Sequence, residues 1–171
     1  MPGETDIAAN RTAFATTLWT QVVRAADPSS PERREALEAL FAAYWRPLYA
    51  FARRRGASVE DAKDSVQAFL ARVLEKDWLA AADPARGRFR TFLLPAFSRH
   101  LAGEHDSARA GKRGGGRRLL SLDWDGGERG LLLDPADPRS PEQLFDRDWA
   151  LTLLARALGR LRAEAPVQHD L

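Results

Sequence analysis

The sequence predicts an all-α protein: a compact helical bundle, then a basic and acidic tether, then one amphipathic helix. Three observations carry this. Apolar residues recur at spacings of three and four along most of the chain, the period of a helix buried on one side. Helix-start signals of the Ser-Pro-Glu kind stand at Ser30-Pro31-Glu32 and again at Ser140-Pro141-Glu142. With 44% hydrophobic and 29% charged residues, the 171-residue chain has the composition of a soluble globular domain. That length suffices for one ordinary domain with about thirty to fifty residues to spare.

The elements follow in order. Phe14, Leu18 and Val22 recur every four residues and predict a short first helix, closed by the turn Asp27-Pro28-Ser29. The next helix starts at Ser30, with Pro31 in its first turn. It carries Leu37, Leu40, Phe41, Tyr44, Trp45, Leu48, Tyr49 and Phe51 on a wide apolar face and stops at Gly56. Pro47 inside it predicts a kink or a break, because proline removes a backbone donor. Ser58-Val59-Glu60-Asp61 opens a third helix as a capping box, and its apolar residues Val66, Phe69, Leu70, Val73 and Leu74 lead to about Trp78. After a loop from Ala80 to Gly87, Phe89, Phe92, Leu93, Ala96, Phe97 and Leu101 predict a fourth helix, which dissolves into Gly111-Lys112-Arg113-Gly114-Gly115-Gly116. Residues 117–139 read as a linker, with Leu119, Leu120, Leu122 and Leu131 to Leu133 in short extended pieces. The last helix starts at Ser140-Pro141 and bears Leu151, Leu154, Leu158 and Leu161 on one stripe. That stripe must be hidden, by folding back on the bundle or by pairing with a second copy.

Zero cysteines exclude disulfide scaffolds, thiol catalysis and cysteine-based zinc sites. No apolar run approaches the roughly 20 residues that cross a bilayer, and residues 1–10 lack the pattern of a secretory signal. A cytoplasmic protein without a membrane partner is expected. Net charge is only +2, yet all but three (Lys63, Lys76, Lys112) of the 26 cations are arginine. Their placement is uneven. Nine cations between Arg86 and Arg118 face only Glu104 and Asp106, whereas between Leu119 and Ala150 eight acids face three arginines. A basic block followed by an acidic tether points to an anionic partner, nucleic acid first.

No constellation for covalent chemistry is present, and no cofactor or metal is expected. His100 and His105 are five apart, about 140° around a helix from each other, whereas zinc helices place two histidines four apart on one face. Asp123-Trp124-Asp125-Gly126 opens like a calcium loop but lacks the later acid. Gly111-Lys112-Arg113 lacks the upstream glycine and following hydroxyl of a phosphate loop.

Several segments together resemble the extracytoplasmic-function sigma factors of RNA polymerase. Tyr44-Trp45-Arg46-Pro47-Leu48-Tyr49-Ala50-Phe51, followed by Arg53-Arg54-Arg55-Gly56, resembles the first conserved helix of that family. Asp61-Ala62-Lys63-Asp64-Ser65-Val66-Gln67 resembles its Asp-Ala-x-Asp-x-x-Gln signature, and Arg86 to Leu93 resembles the loop and helix start that meet promoter DNA. Phe14 to Trp19, and Pro141 to Asp146 with Trp149-Ala150-Leu151, resemble one subgroup. The likeness spans residues 13–164, and the order and spacing of the motifs carry it.

The resemblance implies a region-2-like helical domain over residues 10–116, a linker at 117–139, the first helix of a truncated region-4-like domain at 140–164 and a tail at 165–171. It implies two partners, core RNA polymerase and promoter DNA, and admits an anti-sigma factor as a third. Asp61, Asp64 and Gln67 would dock on the polymerase; Asp64 and Gln67 are three apart and share a helix face. Arg88, Arg90 and Arg99 would meet the melted strand, and Arg109, Lys112, Arg113, Arg117 and Arg118 would hold nearby duplex phosphates. Phe89 and Phe92 could stack on an unpaired base, but their register with Phe97 predicts the core for both. The chain departs from the family at Ala68, where an acid is usual, at Pro95 inside the fourth helix, and at Gly103 and His105-Asp106, where a basic continuation is usual. The expected function is promoter recruitment and base capture without catalysis. The alternatives are a polymerase-docking protein that does not direct initiation and a non-specific nucleic-acid-binding helical module.

Overall fold

The computed structural model describes residues 19–75, 78–83, 85, 89–109, 122–131 and 137–164, with side chains described as far as residue 103 in the fourth range. Every regular element among them is a helix: α1 (the described part, 19–26), α2 (Arg33–Arg54), α3 (Val59–Glu75), α4 (Phe89–Arg109), α5 (Trp124–Arg129) and α6 (Pro141–Glu164). The all-α expectation holds.

Helix α2 is the axis of the fold. From Ala43 to Ala52 every side chain except that of Arg46 is buried, so this stretch of α2 must be covered around most of its circumference. The other helices do this. Helices α3, α4, α5 and α6 all pack against it, and α3 also packs on α4. Phe97 of α4 is fully buried, its ring 5.0 Å from Phe69 of α3, 6.2 Å from Phe51 of α2 and 6.2 Å from His100. Phe145 of α6 is also fully buried, edge-on to Phe51 at 6.3 Å.

The expected kink or break at Pro47 is not a break. Helix α2 continues through it for 22 residues, and Pro47 is itself in the core. Helix α4 likewise runs across Pro95. The helix-start signal at Ser30 is two residues early: Pro31 and Glu32 form a turn, the Ser30 hydroxyl accepts from the Glu32 amide at 3.3 Å, and α2 begins at Arg33. Its end is as expected. Gly56 takes φ +92°, and the amides of Gly56 and Ala57 donate back to the carbonyls of Arg53 and Ala52, a Schellman closure that favours glycine.

The caps of α3 and α6 are side-chain caps. The Asp61 amide donates to the Ser58 hydroxyl (3.1 Å), which donates in turn to the Asp61 carboxylate (2.7 Å). At α6 the box is reciprocal: the Gln143 amide donates to the Ser140 hydroxyl and the Ser140 amide to the Gln143 side-chain oxygen.

The linker departs most from expectation. Residues 124–129 form a helical turn and a half, capped by the Asp123 carboxylate, which accepts from the Gly126 amide at 2.9 Å. The acid that opens like a calcium loop is thus a helix cap. Trp124 packs edge-on against Trp45 (5.1 Å) and on Tyr49 (5.6 Å). Gly127 lies under the Trp45 indole so closely that a Cβ there would stand 2.9 Å from a ring carbon. Glycine at 127 lets α5 dock.

Helix α6 folds back only in part. Leu144 and Phe145 are buried, and Trp149 and Leu153 pack on the core. Leu151, Leu154, Leu158 and Leu161 lie on the far side of the helix and stay 43–62% exposed. The two halves of the expectation for this helix therefore separate: the fold-back uses a different face from the leucine stripe.

Candidate functional site

Helices α3 and α4 lie side by side, and each turns a chemically distinct face outward. Burial of Ala62, Ser65, Val66, Phe69, Leu70 and Val73 orients α3 and leaves Glu60, Asp61, Asp64, Arg72 and Glu75 exposed. Asp64 is exposed and Gln67 half-buried, with the small side chains of Ala68 and Ala71 between the acids along the same face. Glu60 pairs with Lys63 at 3.0 Å and Asp61 is held by Ser58. Among the described residues Asp64 has no ion-pair partner. An exposed carboxylate of this kind can accept charge-assisted hydrogen bonds from a cation.

On α4, Phe89, Leu93, Ala96, Phe97, His100 and Leu101 face inward. Thr91, Phe92, Pro95 and Arg99 face outward. Phe89 is core, as its register predicts. Phe92 is not: it is 36% exposed, because Phe89, Leu93 and Phe97 form the inward face of α4 and Phe92 lies at its rim. Phe92 and Arg99 are seven apart and thus share a face, an aromatic ring and a cation together. That combination suits a single strand, which offers both base planes and phosphates.

His100 is part of the packing. Its Nε2 lies 3.1 Å from the Ser65 carbonyl and its Nδ1 lies 3.2 Å from an Arg72 nitrogen, so both ring nitrogens are engaged across the α3–α4 interface. Among the described residues no group of three His, Asp or Glu could hold a metal ion, and no described helix is long and apolar enough to cross a membrane.

The predicted DNA-facing cations fare unequally. Arg99 is exposed on the outer face of α4. Arg90 is not turned outward: its Nε lies 2.7 Å from Asp146 of α6, its guanidinium stands 4.3 Å above the Trp149 ring, and 14% of the side chain is exposed. Arg88, Lys112, Arg113, Arg117 and Arg118 lie outside the described residues, as does the side chain of Arg109.

A cluster that sequence reasoning missed joins the bundle to α5 and α6. Arg53 grips Glu128 with two nitrogens (3.1 and 2.8 Å), and the Tyr49 hydroxyl donates to the same carboxylate at 2.5 Å. Arg54 pairs with Asp148 at 2.5 Å, with 8% of the arginine side chain exposed. The change of charge sign near residue 119 was the available signal, since these acids belong to the acidic segment; their targets are the adjacent arginines Arg53 and Arg54 at the end of α2.

This cluster sets a pH window for α5. The hydrogen bond from Arg53, then that from Tyr49, holds the Glu128 carboxyl below the usual carboxylate range. A depressed carboxylate contributes stability above its unfolded pKa and loses it as pH falls through the folded one. The Tyr49 hydroxyl is pushed up to about 12 by burial first and then by its bond to Glu128, so its contribution persists below 10 and is lost near the top of the range. Acid titration should therefore release α5 below the usual carboxylate range. The Trp124 emission, read as the difference between parent and Trp124→Phe, should report it, and Glu128→Gln should abolish the transition.

Comparison with protein-family models, with curated proteins and with solved structures found no match.

Proposed function

We propose that the chain is a sigma-factor-like protein that docks on core RNA polymerase through α3 and offers α4 to an unpaired promoter strand. It performs no covalent chemistry, and it works in the cytoplasm beside the polymerase. One observation carries the reading: the Asp64–Gln67 face of α3 and the Phe92–Arg99 face of α4 are both outward on adjacent packed helices. The first has an acid with no ion pair among the described residues, and the second has a ring and a cation at one register. This arrangement is what the ordered motifs imply, docking and strand capture on neighbouring helices. Polymerase binding brings the protein to the promoter; stacking and phosphate contacts then hold the strand open.

A second reading is favoured by Arg90. In the conformation described, that arginine is occupied by Asp146 and Trp149, which suits a chain that docks on polymerase without directing initiation.

The test of docking is charge reversal. Asp64→Arg replaces an attraction by a repulsion and should weaken core-polymerase binding by about 2 kcal/mol or more if the contact is desolvated. Asp64 is exposed, so helical content should not change. Equal retention of core polymerase by parent and Asp64→Arg in a pull-down would remove the docking assignment.

A further inference from the structure

Four arginines of the bundle end on acids of one later segment. Arg46 lies 3.8 Å from Asp123, Arg53 holds Glu128 in a fork, Arg54 pairs with Asp148, and Arg90 pairs with Asp146. Arg53, Arg54 and Arg90 are largely covered in these pairs, and the acids come from residues 123–148, the stretch where the charge of the chain turns negative. Guanidinium groups take carboxylates and phosphates in the same geometry. At Arg90 the likeness goes further: a carboxylate meets its edge while the Trp149 ring lies 4.3 Å beneath its plane, as a phosphate and a base would.

We infer that Arg53, Arg54 and Arg90 form a binding site for single-stranded nucleic acid and that the chain's own α5–α6 segment occupies it as an internal mimic. The inference rests on the proposed function for its ligand class and adds a site of which only Arg90 was foreseen. It also accounts for the occupied state of Arg90. The segment is held shut by more than charge: Leu144 and Phe145 are buried, and Trp149 stacks on Tyr44 at 6.2 Å. The closed state thus dominates in the free chain, and apparent affinity for a strand is reduced by the fraction that is open. Strand and segment compete for the same three cations.

The test uses the full chain and two kinds of variant. Asp146→Asn with Asp148→Asn removes the mimic's charge at Arg90 and Arg54. Phe145→Ala loosens α6 with no change of charge, which separates unmasking from a general gain in positive potential. Hydrogen exchange confirms the opening of α6, and binding is read with a fluorescent single-stranded oligonucleotide and with inorganic polyphosphate. Both variants should bind the oligonucleotide about tenfold or more tightly than the parent, and adding Arg54→Ala and Arg90→Ala should remove the gain. A gain on the oligonucleotide that exceeds the gain on polyphosphate supports strand over generic polyanion; equal gains would overturn the assignment to nucleic acid. If Phe145→Ala opens α6 while oligonucleotide affinity stays at the parent value, the masked site does not exist. Core-polymerase retention is read on the same variants. Retention with unchanged strand affinity sinks this inference alone, whereas a strand gain without retention sinks the proposed function and leaves the site standing.

Discussion

Phe97→Ala should destabilise the bundle by about 3–5 kcal/mol, the cost of truncating a fully buried phenylalanine. The ring is fully buried and is the meeting point of three helices, touching Phe51, Phe69 and His100. Each of those partners is itself buried and held by its own helix, so the space cannot collapse cheaply. Urea unfolding followed by circular dichroism should show the midpoint fall with little change in slope. A loss below about 1 kcal/mol would mean that α3 and α4 are not packed on α2 through this contact.

Asp148→Ala should release α6 at a cost of about 3–5 kcal/mol, the usual penalty for stranding one partner of a buried ion pair. Arg54 would keep its charge in a site where 8% of its side chain is exposed, with Asp148 gone and Arg147 adding a second unpaired cation beside it. The loss is local by construction. Amides of residues 141–164 should exchange faster, while those of α3 retain their protection. Replacing both members, Arg54→Met with Asp148→Leu, should recover most of the loss, because the pair's own net contribution is small once neither charge is stranded.

Much of the fold was legible because its signals are local. The Ser58 and Ser140 boxes, the Gly56 stop and the apolar register of α3 and α4 each depend on residues within one or two turns. Helix α5 was not legible. Six residues containing Gly126 and Gly127 have no period to read, and what makes them helical is the Asp123 cap and docking on Trp45, a contact 79 residues distant at Glu128–Tyr49. Pro47 misled for a related reason. A proline break is a local expectation, and burial of Pro47 with its neighbours Trp45, Leu48 and Phe51 overrides it. At the candidate site, the spacing of Asp64 and Gln67 was sufficient to place them on one helix face, and burial of α3 leaves Asp64 exposed and Gln67 half-buried there. The spacing of Phe92 from Phe89 is compatible with either rim or interior, and only the packing of α4 on α2 and α3 puts it at the rim and not in the core. Arg90 shows the limit most clearly: its neighbours Asp146 and Trp149 are more than fifty residues away, so no window of sequence could reveal that the arginine is taken.

The proposed function is that this chain joins core RNA polymerase to an opened promoter. Its most direct test is transcription from a template already unpaired over the melted segment, with purified core polymerase, in the presence and absence of the protein. The protein should form a stable ternary complex on the bubble and raise run-off transcription above that of core alone, and Asp64→Arg should lose both effects. Identical occupancy and transcription with and without the protein would contradict it.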